Sequence, residues 1–271
     1  MNCSAYITTS WDDGHPLDLR IAELLTKYGL RGTFYVPRIS EHGTMSAGQI
    51  RQLSASFEIG AHTVHHLDLT QTRGRVARDE IFDSKYWIEQ ITGRPCVTFC
   101  PPLGRYHQHH LELIRDAGFL AMRSVEFLSL DFPRRCARLL VMPTTLQAYP
   151  HGPMAFIRNA VWRGALRNLW LYIVHGAACE WNHMAELIMR HTLENGGVFH
   201  LWGHSWELEE TAQWSRLDGV LQMLAEIRSS AMPLTNAQLC QTQLLPSSRS
   251  RRAERLGLRQ AICYRSSSCD L

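Results

Sequence analysis

Short apolar runs alternate with amphipathic stretches along most of the chain. "AYITTSW" reads as a strand. From Pro16 a helix follows, with Leu17, Ile21, Leu24, Leu25 and Tyr28 on one face and Gly29 as its stop. "GTFYVP" is the next strand, Ser46 to Ser54 a short helix, and "FEIGAHT" a third strand. Ala77 to Ile91 is a long helix with Ala77, Ile81, Ile88 and Ile91 facing inward. "CVTFC", a helix near His109 to Ala117, and "FLAMRSV" continue the series. Repeated strand-then-helix order implies parallel strands joined by right-handed crossovers. The fold class is therefore α/β, an α/β barrel or open α/β sheet, with ligands at the carboxyl ends of strands.

From Phe127 to Trp181 the pattern loosens, punctuated by Pro133, Pro143, Pro150 and Pro153. A helix carrying Trp162, Leu166, Leu169, Trp170 and Ile173 on one stripe is expected to pack on the body, with docking of a lipid or a partner as the alternative. A helix from about His183 to Leu193 leads into "GGVFHLWGHSWE", read as the final strand. The helix bearing Leu217, Val220, Leu221, Leu224 and Ile227 then closes the body. The expected division is a catalytic body over 5–236 and a polar, Arg/Ser-rich flexible tail over 237–271.

Charge adds little to this picture. The chain carries a formal net charge of +3. Six arginines after Leu245 face only Glu254 and Asp270, so the tail holds +4 and the other 244 residues hold −1. Nucleic acid is not an expected partner of the body. There is no run of roughly 20 apolar residues to span a membrane. The start of the sequence lacks a basic-then-apolar leader, and the eight cysteines include no CxxC pair. A cytoplasmic protein with reduced thiols is the expectation.

Three clusters at strand ends carry candidate chemistry: Asp12-Asp13, His62/His65/His66 in "AHTVHHLD", and His200/His204 in "HLWGHSWE". Singly each is ordinary: a DD pair before glycine marks many solvated turns, and fourteen histidines yield an HxxxH pair by chance. Together, one carboxylate and two imidazoles suit a divalent ion with coordination sites left open. Asp13, His62 and His66 would be its ligands. A cation there would keep Asp12 ionised beside Asp13, free to act as a base toward a water. His204 lies at the carboxyl end of its strand and is the preferred general acid. His200 lies about 13 Å lower, among core side chains.

These residues resemble the polysaccharide deacetylases, carbohydrate esterase family four, over about residues 5 to 236. "SWDDG" is similar to the first motif of the nodulation-type homology domain, with Asp12 as base and Asp13 as metal ligand. "HTVHH" is similar to its H-[ST]-x-x-H motif, which implies metal ligation by His62 and His66 and a loop-stabilising hydroxyl at Thr63. His65 is left without a role. "CPPLGRY" and "HLWGHSWE" stand where two looser motifs fall. The resemblance implies a distorted, incomplete (β/α) barrel and a divalent metal, Zn first, with Co, Mn or Ni as alternatives. It also implies hydrolysis of N-acetyl, sometimes O-acetyl, groups on sugars. Cys100 occupies the position of the family's base-orienting arginine, so Arg105 or Arg123 is expected to substitute. The backbone N–H of Leu103 is the expected oxyanion donor. Trp206 is grouped with these as a substrate-facing or orienting side chain, and Asp131 is the expected buttress of the acid histidine. The expected substrate is an acetylated amino sugar, nucleotide-linked or lipid-linked. Two other readings stand beside it: opening of cyclic amides or ureides by the same site, and a non-catalytic carbohydrate-binding relic. The sequence is silent on oligomeric state.

Overall fold

The structure is a computed structural model that describes residues 4–136, 138–175 and 180–244. The sheet runs through β1 (Ala5–Asp12), β2 (Thr33–Val36), β3 (Glu58–Ala61), β4 (Thr98–Phe99) and β5 (Ala121–Arg123). Between them lie α1 (Asp18–Tyr28), α2 (Ala47–Ser54), α3 (Gly74–Thr92) and α4 (Gln108–Asp116). Strands β1 to β5 pair in parallel in chain order, as the alternating pattern requires. β1 is buried along nearly its whole length, which is why it reads as a near-continuous apolar and small-residue run. Helix faces match the periodicity: α1 buries Ile21, Ala22 and Leu25, and α3 buries Ala77, Ile81 and Ile88.

The irregular middle of the chain contains β6 (Arg134–Cys136), β7 (Leu139–Met142) and β8 (Leu146–Gln147), three short strands without a legible period. β6 is antiparallel to β7, and β7 continues the parallel sheet beside β5. After α5 (Pro153–Arg163), α6 (Leu169–His175) and α7 (Trp181–Asn195), strand β9 (Gly197–His204) returns to pair with β1 along all eight of its residues. β8 flanks β9, giving the order β6-β7-β5-β4-β3-β2-β1-β9-β8. The result is the incomplete, distorted α/β barrel the resemblance implies.

Three expectations change. The 162–173 stripe is not one buried helix, because Gly164 caps α5 in the left-handed region (φ 65°) and a short 3-10 turn precedes α6. Trp162, Leu166, Trp170 and Ile173 are exposed instead of packed on the body. The strand in "GGVFHLWGHSWE" stops at His204, where the chain turns into α8 (Ser205–Glu210). It is not the last strand. After α9 (Trp214–Glu226), β10 (Ala231–Leu234) pairs with Ala5–Thr8 of β1. Order then continues past residue 236 in α10 (Asn236–Leu244), which buries Asn236, Ala237, Leu239 and Cys240. The remainder of the expected tail, 245–271, lies outside the described residues. Among the described residues, no helix is long and apolar enough to cross a membrane.

Candidate active site

Each chemistry-bearing side chain sits at or just past the carboxyl end of a parallel strand. β1 ends at Asp12, and Asp13 (φ 75°) and Gly14 (φ 60°) follow in the left-handed region. Side chains on an extended strand alternate in direction, so two successive left-handed residues are what turn both carboxylates toward one place. Aspartate tolerates this backbone better than most residues. Gly14 is required, since a Cβ there would lie 2.6 Å from Val36 Cγ1.

After β3, the loop from His62 to His66 has Thr63 (φ 65°) and His66 (φ 53°) in the same left-handed region. Glu80 of α3 holds that loop: its carboxylate accepts the amides of Val64 (2.9 Å) and His65 (2.8 Å) and the His65 Nδ1 proton (2.6 Å). His65 thus acquires a structural role. The Thr63 hydroxyl, expected to stabilise the loop, is buried with no hydrogen-bond partner among the described residues. Glu80 does that work instead, and nothing in its helical setting marks it as a loop anchor.

The Cys100 carbonyl accepts a hydrogen bond from His62 Nδ1 at 2.6 Å. A carbonyl can only accept, so Nδ1 carries the proton and Nε2 presents a lone pair. That Nε2 lies 3.5 Å from Asp13 Oδ1, and His66 Nε2 lies 3.1 Å from the same oxygen. Among the described residues Asp13 Oδ1 is buried without a hydrogen-bond partner, while Oδ2 accepts the Trp206 indole N–H at 2.9 Å. An imidazole lone pair and a carboxylate oxygen converging in a dry site repel unless a cation lies between them. The ligand atoms of Asp13, His62 and His66 lie within 4.8 Å of one another, and this donor set suits a divalent metal.

The Arg123 guanidinium, fully buried at the end of β5, donates from Nη2 to both oxygens of Asp12. It packs against the rings of Trp202 (4.8 Å) and Tyr35 (5.3 Å). Burial works against its charge, but the Asp12 carboxylate more than compensates and holds it protonated. Of the two candidate orienting arginines, Arg105 is the one that does not reach the site. It pairs with Asp68 at 2.9 Å on the surface. Cys100 Sγ lies 3.9 Å from Asp12 Oδ2, in the space beside that ion pair. Asp12, His62 and Cys100 also offer ligand atoms within 4.8 Å of one another, but Asp12 is already engaged by Arg123 and burial raises the Cys100 thiol well above its ordinary pKa. The Asp13 set is the better donor group.

Opposite Asp12 in the β1–β9 register stands His204. Its Nδ1 bonds Glu207 Oε2 at 2.6 Å, which leaves Nε2 for the cavity. Burial works against the charged ring, but that hydrogen bond, the Glu207 charge and the Asp13 and Asp12 carboxylates together raise its pKa to about 9. Glu207 Oε2 also accepts from Gln147 Nε2 (2.8 Å), and Gln147 Oε1 meets His151 Nε2 at 2.8 Å. Glu207 is the buttress, in place of Asp131, which is exposed in the turn after Ser129 and does not line the cavity. The sequence did carry a signal, a carboxylate three residues after the acid histidine at a helix start. His200, the alternative acid, is fully buried and bonded to Ser10 Oγ at 2.8 Å. Trp206 orients Asp13 and stacks on His42 (3.8 Å, 9°). Leu103 (φ 56°) stands exposed at the rim. Asp12, Asp13, His62, His66 and His204 line one cavity of about 400 Å³.

An incomplete α/β barrel thus brings a two-histidine, one-carboxylate cluster, a tethered second carboxylate and a buttressed histidine to one cavity. Residues 2–122 match the sequence profile of the family described as polysaccharide deacetylase. The segment holding Asp12, Asp13, His62 and His66 is therefore similar in sequence to the polysaccharide deacetylase family, and over the rest of the chain the likeness is one of fold. The curated Bacillus subtilis protein YxkH, described by the same family name, is 23% identical over 117 residues. That match covers 42% of this chain and 42% of the relative, so less than half of either. A Mycobacterium smegmatis structure described by that family name superposes with a TM-score of 0.63 at 16% identity, over 99% of this chain and 96% of that one. The Bacillus subtilis peptidoglycan deacetylase PdaC superposes with a TM-score of 0.51 at 15% identity, over 95% and 98%.

Proposed function

We propose that the chain is a metal-dependent deacetylase of an acetylated amino sugar. The observation that carries this reading is the convergence of Asp13, His62 and His66 around a buried, unpartnered carboxylate oxygen, with Asp12 and His204 on either side of the same cavity. A divalent cation held by Asp13, His62 and His66, zinc first, would activate water and polarise the acetyl carbonyl. Asp12, oriented by Arg123, takes the proton of the attacking water. His204, protonated at neutral pH and held by Glu207, gives its Nε2 proton to the departing amine. The Leu103 region at the rim is the place for an oxyanion donor from the backbone. The amide C–N bond breaks, and acetate and the free amino sugar leave.

The test is acetate release from a panel of N- and O-acetylated sugars, with a cyclic ureide included, before and after chelation. Chelation abolishes turnover of an acetylated sugar and metal restores it. Asp12→Asn lowers kcat by about 10²- to 10⁴-fold while bound metal stays at wild-type stoichiometry. Equal metal content in wild type and His62→Ala would refute the ligand assignment.

A further inference from the structure

A second cavity, of about 960 Å³, adjoins the catalytic one and shares Leu103, Val125, Phe127 and His151 with it. Its outer wall is one side of α5, where Met154, Ile157, Val161 and Trp162 stand exposed among the described residues. Exposed apolar side chains scattered singly need no explanation, but a contiguous set lining a groove that opens into a catalytic cavity does. Met154, Ile157 and Val161 make this wall largely aliphatic, with aromatic rings at Trp162 and, toward the catalytic cavity, at Phe127 and His151. Sugar units are held by aromatic faces and paired polar groups. The one tryptophan here has the Arg163 guanidinium stacked on its ring at 4.4 Å. A polymer chain of sugars finds little to bind on such a surface, whereas a hydrocarbon chain does.

The charge at the junction points the same way. Arg158 lines the groove, is exposed, and forms no ion pair with a carboxylate among the described residues. Its charge is felt at His151, on the wall between the two cavities. Arg105 lines the same groove but is already paired with Asp68. A free cation between a sugar-sized cavity and an apolar groove suits an anionic linkage between a sugar and a lipid.

We propose that the substrate is a glycolipid: an acetylated amino sugar joined through a phosphodiester-type linkage to a long hydrocarbon chain. The sugar occupies the catalytic cavity, the linkage passes Arg158 and the chain lies along α5. This rests on the deacetylase reading and adds to it the class of aglycone.

Two measurements separate the failure of one from the failure of the other. The first compares acetate release from N-acetylglucosamine 1-(methyl phosphate) and its decyl analogue, both below micelle-forming concentration. The decyl compound has kcat/KM at least about tenfold higher, as burial of several methylenes implies. In Val161→Asp, a change at an exposed position, the decyl-to-methyl ratio falls toward one. Equal kcat/KM for the two substrates in the wild-type enzyme overturns the proposal and leaves the deacetylase reading standing. The second measurement is calorimetric binding of decyl phosphate, which has no acetyl group. Saturable binding that Val161→Asp and Arg158→Ala both weaken supports the groove even if neither substrate is turned over, in which case the deacetylase reading fails alone. Absence of binding, or sedimentation with phosphatidylcholine vesicles in place of saturable binding to the dispersed probe, overturns the proposal.

Discussion

Asp12 and Asp13, adjacent in the chain, have separate electrostatic environments. Asp13 faces two imidazoles and an indole N–H, whereas Asp12 faces a guanidinium. Much of this was legible from the motifs taken together, because Asp13, His62 and His66 each come from a local pattern at a strand end. Arg123 was legible only as one of two candidates, since its partner lies 111 residues away and across the barrel. Glu207 lies three residues from His204, nearer in the chain than the Asp131 expected to buttress it. It carries a pH prediction. His204 is held at about 9, so it remains protonated through neutral pH. In Glu207→Gln the largest opposing cause, burial, gains on the charged form and the pKa falls. The alkaline limb of kcat against pH should therefore move to lower pH by more than about one unit. An unmoved limb in a titration of both enzymes on the same acetylated sugar would remove His204 as the acid.

Among the secondary-structure elements, strand ends do more than helix faces to define the site. The turn after β1 depends on Gly14, whose positive φ and approach to Val36 exclude a side chain. Gly14→Ala should cost about 1 to 3 kcal/mol in a denaturant melt and lower bound metal together with it. A variant with wild-type stability would mean the turn can relax without cost. The helices α1 and α3 were legible because one face of each is buried against a sheet. The α5–α6 stretch departs from its pattern for a related reason. A 3.6-residue period of apolar positions shows amphipathicity, but not what covers the face, and Gly164 divides the run in two. The strands β6, β7 and β8 have two to four residues each, too few to show any period.

For the whole molecule, the closing contact is β9 against β1, and it carries a stability prediction through His200. That ring is fully buried beside Ser10, and burial, reinforced by the Arg123 charge, depresses its pKa well below the ordinary 6.5. The unfolded chain then takes up the proton first. Stability contributed by the neutral ring is present above pH 6.5 and is lost as pH falls below it, by up to about 1.4 kcal/mol per pH unit. Urea unfolding between pH 7.5 and pH 5 should show a steeper acid loss in wild type than in His200→Gln. Parallel curves would assign the acid sensitivity to other groups.

The same scale gives the Arg123–Asp12 pair a second meaning. It joins β5 to β1, with β4, β3 and β2 lying between them in the sheet. It is therefore a brace across the hollow of the arch as well as a clamp on one carboxylate. Cys100 Sγ lies 3.9 Å from the same carboxylate, so an arginine introduced at position 100 would set a second guanidinium against a group already held from β5. Cys100→Arg would therefore crowd the brace instead of reinforcing it.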